Sequence, residues 1–209
     1  MMSTVFQDVS LFLLYAVLAV FAQNAIFTRS LGVSRMIALV EEPSLNSVLF
    51  GGLLVAVQLL AAPFGWAYAT YLAPLIPASM PIRAAVRPLA YILCSFLAMG
   101  IVWLVLEHGI HSPRCSELKM LLPLATLNCC VLGTLLISGS QHYTLVQSLG
   151  FGLGSAVGYL FAVLLVTEAQ RRLRTDAIPP MFRGLPITLI YTGILALAIY
   201  SVTGHMLNV

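Results

Sequence analysis

Apolar residues fall into six blocks along the chain, with most polar positions between them. A membrane helix needs ~20 mostly apolar residues, so each block reads as one span. The first, about Val5 to Phe27, is apolar through Leu11–Phe21 and then meets Gln23 and Asn24 within the same block. Thr28 to Arg35 reads as a break followed by a short amphipathic piece. Glu41-Glu42-Pro43 closes that connection, and Asn46 suits an N-cap. The second block, Ser47–Leu72, carries Gly51 and Gly52 for close helix contact, Pro63 as a kink, and Trp66, Tyr68 and Tyr71 as an interfacial belt. A proline-rich turn from Pro74 to Pro81 follows. Pro88 opens the third block, which ends near Glu107-His108.

The fourth block, about Lys119 to Ile137, places a proline, an amide and two thiols in otherwise apolar sequence: Leu121-Leu122-Pro123-Leu124-Ala125-Thr126-Leu127-Asn128-Cys129-Cys130-Val131-Leu132-Gly133. Polar side chains at membrane depth are costly unless they face protein, water or a ligand. A helix breaker beside them predicts an interrupted helix. The fifth block, Gln147–Thr167, has Gly150, Gly152, Gly154, Ser155 and Gly158 as a tightly packing small-residue face, and the basic run Glu168 to Arg174 extends its helix. The sixth runs from Pro186 to about Val202.

The halves repeat weakly. Ser47–Val57 lies over Gln147–Val157, and Pro88–Ile101 over Pro186–Ile199, which sets Asn24 opposite Asn128. The predicted fold is an all-α integral membrane protein. Six transmembrane helices form two inverted three-helix repeats, 1–107 and 108–209, in a single membrane domain, each repeat opening with an interrupted helix. Such repeats place broken helices face to face at the midplane, so Asn24 and Asn128 are expected to point into one central polar site. Coordination of a cation, capping of a broken helix end and interhelical hydrogen bonding all suit these two amides.

Composition agrees. Of 209 residues 60% are hydrophobic and only 8% charged, against about 25% charged in soluble domains. The net charge of +3 gives no sign of a nucleic-acid partner. No signal-peptide pattern precedes the first block, which is expected to stay in the mature protein. Connections after odd-numbered spans carry Arg29, Arg35, Arg114, Lys119, Arg171, Arg172, Arg174 and Arg183, while the other side carries Arg83 and Arg87. This bias puts both termini outside, N-out and C-out.

Candidate chemistry is sparse. Cys94, Cys115, Cys129 and Cys130 do not suggest a secreted disulfide framework. Cys129 suits an iron–sulfur ligand or a small buried filler. On a regular helix Cys130 points about 100° away from it. Gln23 and Gln58 read as structural, and Asp8 and Glu107 lie near span ends. His108, His111, His142 and His205 lack metal-ligand spacing. No phosphate loop is present.

These residues resemble a family. Leu122 to Gly133 is similar to the Leu-Pro-Leu-Ile-Thr-Thr-Asn-Cys-Ala-Val-Leu-Gly stretch of the Rnf electron-transport complex A subunits and the similar Nqr complex E subunits. Gln147-Ser148, Gly150-Phe151-Gly152 and Ala156-Val157-Gly158 resemble the family's next helix. Ile178 to Gly184 fits its apolar-Pro-x-x-Phe-basic-Gly connection, and Ser112-Pro113 falls where the family has Ser-Pro. Asn24 to Arg35 resembles its Asn-Phe-Val-Leu-Ser-Arg-Phe-Leu-Gly-Ile-Cys-Pro without a gap, with Ser34 on the cysteine and Arg35 on the proline.

The resemblance implies a subunit of a redox-driven Na⁺ or H⁺ translocase in the cell membrane, without nucleotide binding of its own. It implies a sister six-helix subunit and further partners. It also implies a [2Fe–2S] cluster shared between the sisters, with Cys129 as an iron ligand and Ser34 where the second ligand is missing. The alternative is an inverted-repeat transporter or scaffold that has lost the iron–sulfur site.

Overall fold

The computed structural model describes residues 2–41, 46–75, 82–109, 115–173 and 179–203. Glu42, Pro43, His111, Ser112-Pro113, Arg114, Arg174, Ile178 and His205 fall outside them, as do Ile76 to Pro81 of the proline-rich turn. Eight α-helices occur among the described residues: α1 (Met2–Val20), α2 (Val33–Glu41), α3 (Ser47–Ala67), α4 (Ile82–Gly109), α5 (Cys115–Thr126), α6 (Cys129–Ser140), α7 (Leu145–Leu173) and α8 (Leu185–Thr203). No strand is present among these residues.

Segments 47–75, 85–108, 145–172 and 185–203 are each long and apolar enough to cross a membrane, and α5 with α6 passes the same test only as a pair, bent by 47° at its break. The sequence predicts six such spans. The shortfall lies at α1, whose helix stops at Val20 although apolar sequence continues to Phe27. The fourth block is interrupted where its proline and amide predict, between Thr126 and Cys129. α3 continues through Pro63 to Ala67 before a π-helical turn at Tyr68–Leu72, and α4 begins before Pro88.

α3 and α7 form the centre. Phe50, Leu54 and Val57 of α3 are fully buried, as are Ala156, Tyr159 and Val163 of α7. Asn46 caps α3 by accepting from the Val48 and Leu49 amides. This satisfies two of the donors that a helix start leaves unpaired.

Of the predicted small-residue face of α7, Gly150, Gly154 and Gly158 are the bed for α1, whereas Gly152 meets Gln58 and Ala62 of α3 and Ser155 meets Thr134 of α6. A Cβ at Gly150 or Gly154 would overlap the backbone oxygens of Phe12 or Ala16, and one at Gly158 would lie 3.1 Å from Val20 Cα. Backbones approach this closely only where side chains are absent. α1 thus buries one narrow stripe and leaves Phe6, Val9, Leu13 and Val17 exposed.

At the far end of α7 the predicted extension is present: Glu168 sits 3.8 Å from Arg171 and 3.4 Å from Arg172. These pairs are well exposed, so each adds little stability. α8 is peripheral, with Thr188 and Thr192 as its buried positions. Gln170 of α7 donates to Thr188 across that contact.

Candidate functional site

The chain between α1 and α2 folds back on itself around Asn24. Its Oδ1 accepts from the Ile26 and Phe27 amides at 2.9 and 3.2 Å. Its Nδ2 donates to Val20 O at 2.8 Å and to Gly158 O, half-way along α7, at 3.1 Å. Asn24 therefore closes the end of α1, opens the following turn and ties both to α7. It is 1% exposed and has every polar side-chain atom satisfied. That is why the helix stops at Val20: the amide replaces helical hydrogen bonds that an all-apolar continuation would need.

The turn ends in left-handed residues, Ser30 (φ 54°) and Gly32 (φ 76°). A Cβ at Gly32 would collide with the Asn128 side chain and lie 2.7 Å from the Tyr159 ring. Only glycine meets both demands. Tyr159 donates its hydroxyl to Gly32 O at 3.1 Å, which anchors the turn to the middle of α7.

The second interruption is shorter. Leu127 and Asn128 separate α5 from α6, and Asn128 accepts from the Cys130 amide at 3.0 Å as the N-cap of α6. Asn128 is 3% exposed, and its Nδ2 has no hydrogen-bond partner. The two interruptions meet: Gly32 of the first lies against Asn128 of the second, and a Cβ at Gly133 of α6 would overlap Leu31.

A cavity of about 520 Å³ opens where they meet, lined by Ser30, Gly32, Ser34, Arg35, Asn128 and Cys129 among others. The predicted site residues Ser34, Asn128 and Cys129 thus share one cavity, and Asn24 stands behind its wall as a structural cap. Cys129 and Ser34 are exposed.

Cys130 faces the opposite way, into a buried polar cluster that sequence reasoning missed. Gln58 of α3 donates through Nε2 to Thr134 Oγ1 at 3.2 Å and to Cys130 Sγ at 3.7 Å. Thr134 donates to Cys130 O at 2.7 Å, and Ser155 of α7 lies 2.8 Å from Thr134 Oγ1 and 3.5 Å from Cys130 Sγ. One turn further along α6, Ser138 pairs with Ser148 at 2.7 Å. The signal was available: Cys130, Thr134 and Ser138 recur every fourth residue on α6, hence on one face.

The remaining candidates stand apart. Asp8 is exposed on α1. Glu107 accepts from Trp103 at 2.9 Å and lies 3.7 Å from Lys119. Gln23 accepts from Arg29, and Cys115 donates to Leu106 O. Cys94 is buried on α4. His108 contacts Leu104 O. His142 and Tyr143 line a second cavity where α6 turns into α7. Burial, helped by nearby Tyr15, pushes the Tyr143 phenol up, so it serves there as a neutral hydroxyl. Among the described residues no group of three His, Cys, Asp or Glu side chains is placed to hold a metal ion.

The sequence pattern of the Rnf-Nqr subunit membrane proteins matches residues 12–206. The chain belongs to the Rnf-Nqr subunit family. The A subunit of the ion-translocating oxidoreductase complex of Syntrophotalea carbinolica is 45% identical over 89 residues, 43% of this chain and 46% of that protein. The A subunit of the Na⁺-translocating ferredoxin:NAD⁺ oxidoreductase complex of Acetobacterium woodii is 29% identical over 191 residues, 91% of this chain and 95% of that one. The E subunit of the Na⁺-translocating NADH-quinone reductase of Psychromonas ingrahamii is 36% identical over 92 residues, 44% of this chain and 46% of that protein. The aligned stretch thus spans about half the length of two of these relatives and nearly all of the third. Membership in the Rnf-Nqr family and several long apolar helices make this a multi-pass membrane protein.

Proposed function

We propose that the chain is a membrane subunit of an Rnf/Nqr-type complex that couples electron transfer to Na⁺ or H⁺ transport, seated beside a sister six-helix subunit in the cell membrane. The observation that carries this reading is the cavity holding Ser34, Asn128 and Cys129 where the two helix interruptions meet. Its residues lie level with the middle of α7, since Tyr159 donates to Gly32 there. Exposed polar groups at that depth are costly against lipid, so a partner protein or a bound group covers them.

The packing supports the inverted-repeat frame. In the proposed alignment α1, α2, α3 and α4 correspond to α5, α6, α7 and α8. α1 packs on α7 of the other half, and α5 packs on α3. Exchange of this kind is what a pseudo-two-fold through the α3–α7 contact produces. In this frame both termini lie on one side, the outer side by the distribution of basic residues.

The cofactor implied by the family does not fit this chain's donor set. A [2Fe–2S] cluster is held mainly by thiolates. The cavity offers one thiol, Cys129, beside the Ser34 hydroxyl and the Arg35 side chain. The Ser34 oxygen is harder and far more basic than a thiolate. This favours a second reading, in which the chain serves transport or scaffolding in such a complex without holding its half of a cluster.

Anaerobic purification of the chain from its native membrane, with identification of co-purifying proteins, tests the first reading. Iron content and the paramagnetic signal of the reduced complex then separate the two. Iron lost in Cys129→Ala supports a retained site. Absence of iron in the native complex and its appearance in Ser34→Cys supports the second reading. A chain that purifies without any partner sinks the placement in such a complex.

A further inference from the structure

The second cavity, of about 560 Å³, opens where α3 ends, α4 begins and α6 turns into α7. The π-helical turn at Tyr68–Leu72 shapes one wall of it. Such turns are rare and recur at functional sites. The volume suits a small ligand or a headgroup.

The charge facing this cavity is of one sign. Arg87 is the third residue of the apolar segment 85–108, and an arginine so near a span end can reach out to water. Here it is half-buried and turns in between helices. A Cβ at Gly139 of α6 would overlap the Tyr91 hydroxyl and lie 3.6 Å from Arg87 Nη2. The end of α6 does not account for it, since Ile137 O already accepts from Gln141 N at 2.9 Å and Ser138 O from Tyr143 N at 3.1 Å. Among the described residues Arg87 forms no ion pair. None could come from the lining elements: residues 43–106 and 118–167 contain no Asp or Glu, and every lining residue falls within them. Asp8, on α1, does not line the cavity. From the facing turn His142 and Thr144 add donors, and Thr144 Oγ1, which accepts from Gln147 N at 3.4 Å, keeps its own proton. A half-buried guanidinium with donors around it and no carboxylate in reach calls for an anion.

The position of the cavity names the anion. Trp66, Tyr68 and Tyr143 line it too, and aromatic side chains of this kind settle at headgroup level. Trp66 meets Tyr71 edge-on with ring centroids 5.8 Å apart, and Tyr71 is 63% exposed, so the aromatic wall runs from the cavity to the protein surface. Leu72 and Leu75, on either side of the lining residues Ala73 and Pro74, are 55% and 79% exposed. A ligand with its phosphate in the cavity thus has apolar surface beside it on which acyl chains can lie. The planar fork of an arginine matches a phosphate.

We infer that this cavity binds a phosphate group, that of an anionic phospholipid, with Arg87 as its anchor and His142 and Thr144 as further donors. The site is independent of the proposed role in an ion-translocating complex.

The test uses the protein purified in detergent with whatever partners it retains, so its outcome does not hang on the make-up of the complex. The unfolding temperature is followed as phosphatidylglycerol, phosphatidylcholine, diacylglycerol or inorganic phosphate is added, and retained phospholipid is counted by mass spectrometry. Phosphatidylglycerol should protect most and diacylglycerol least. Arg87→Gln should weaken the response to phosphatidylglycerol ~10-fold and lower the retained lipid. Arg87→Lys, which keeps the charge without the fork, should fall between. Equal protection by inorganic phosphate keeps the phosphate site and overturns the lipid as its source. Equal protection by diacylglycerol, or an Arg87→Gln protein that responds to phosphatidylglycerol as the wild type does, overturns the site. If Arg87→Gln cannot be recovered, His142→Asn is read in the same way. His142 is exposed with a left-handed backbone (φ 53°) that asparagine tolerates. A response weakened ~3-fold is expected there, and an unchanged one overturns the site.

Discussion

The two interruptions use the same side chain to different ends. Between α1 and α2 the chain gives Phe21 to Gly32 to a folded turn, and Asn24 satisfies each of its own polar side-chain atoms there. Between α5 and α6 it gives only Leu127 and Asn128, and Asn128 leaves its Nδ2 unpaired. The first is a knot that fixes the chain to α7. The second is a cap on a residue that lines a cavity, with its Nδ2 buried and without a hydrogen-bond partner. An amide inside a membrane protein is therefore read from which of its atoms are engaged, and a residual donor or acceptor points to where a ligand or partner belongs.

The sharpest way to break this contrast is at Gly32, where the two interruptions touch. Gly32→Val needs a left-handed backbone for a β-branched residue and drives its side chain into Asn128 and Tyr159. A loss of about 4 kcal/mol or more is expected, seen as failure to recover monodisperse protein in detergent. Next comes Asn24→Leu. Four hydrogen bonds are lost, two of them from buried backbone amides, so ~2–4 kcal/mol is expected as a lowered unfolding temperature. Asn128→Ala removes a cap worth ~1 kcal/mol but also removes the unsatisfied donor, so its effect is smaller than that of Asn24→Leu. Reversal of that order in the same thermal assay would sink the distinction between knot and cap. Smallest is Cys129→Ala, which removes an exposed thiol and should change stability by less than ~0.5 kcal/mol. A large loss there would mean that Cys129 is part of the packing.

Much of this arrangement was legible in the chain because its signals are local. Asn46 before an apolar run, glycines every fourth residue on α7, and proline with asparagine inside the fourth block each carry their own physical meaning. The helix angle between Cys129 and Cys130 is likewise local, and the two thiols do face a cavity and a buried cluster respectively. The end of α1 was not legible, because Phe21 to Phe27 has no strong breaker and the stop is imposed by Gly158, 134 residues away from Asn24. The α6 half of the buried cluster was readable from the spacing of Cys130, Thr134 and Ser138, but its meeting with Gln58 was not, since Cys130 and Thr134 lie 72 and 76 residues further along. A lone glutamine in an apolar span gives no hint of the company it keeps.

The bed of glycines under α1 has a consequence for how the protein is made. α1 leaves the ribosome well before its docking face, which is absent until Gly150, Gly154 and Gly158 have been synthesised. The 134 residues from Asn24 to Gly158 take ~7–27 s to translate at ~5–20 residues per second. During that interval α1 is an apolar rod with a loose end, held by the insertion machinery or by lipid. Closing α1 onto α7 is therefore a late step of assembly.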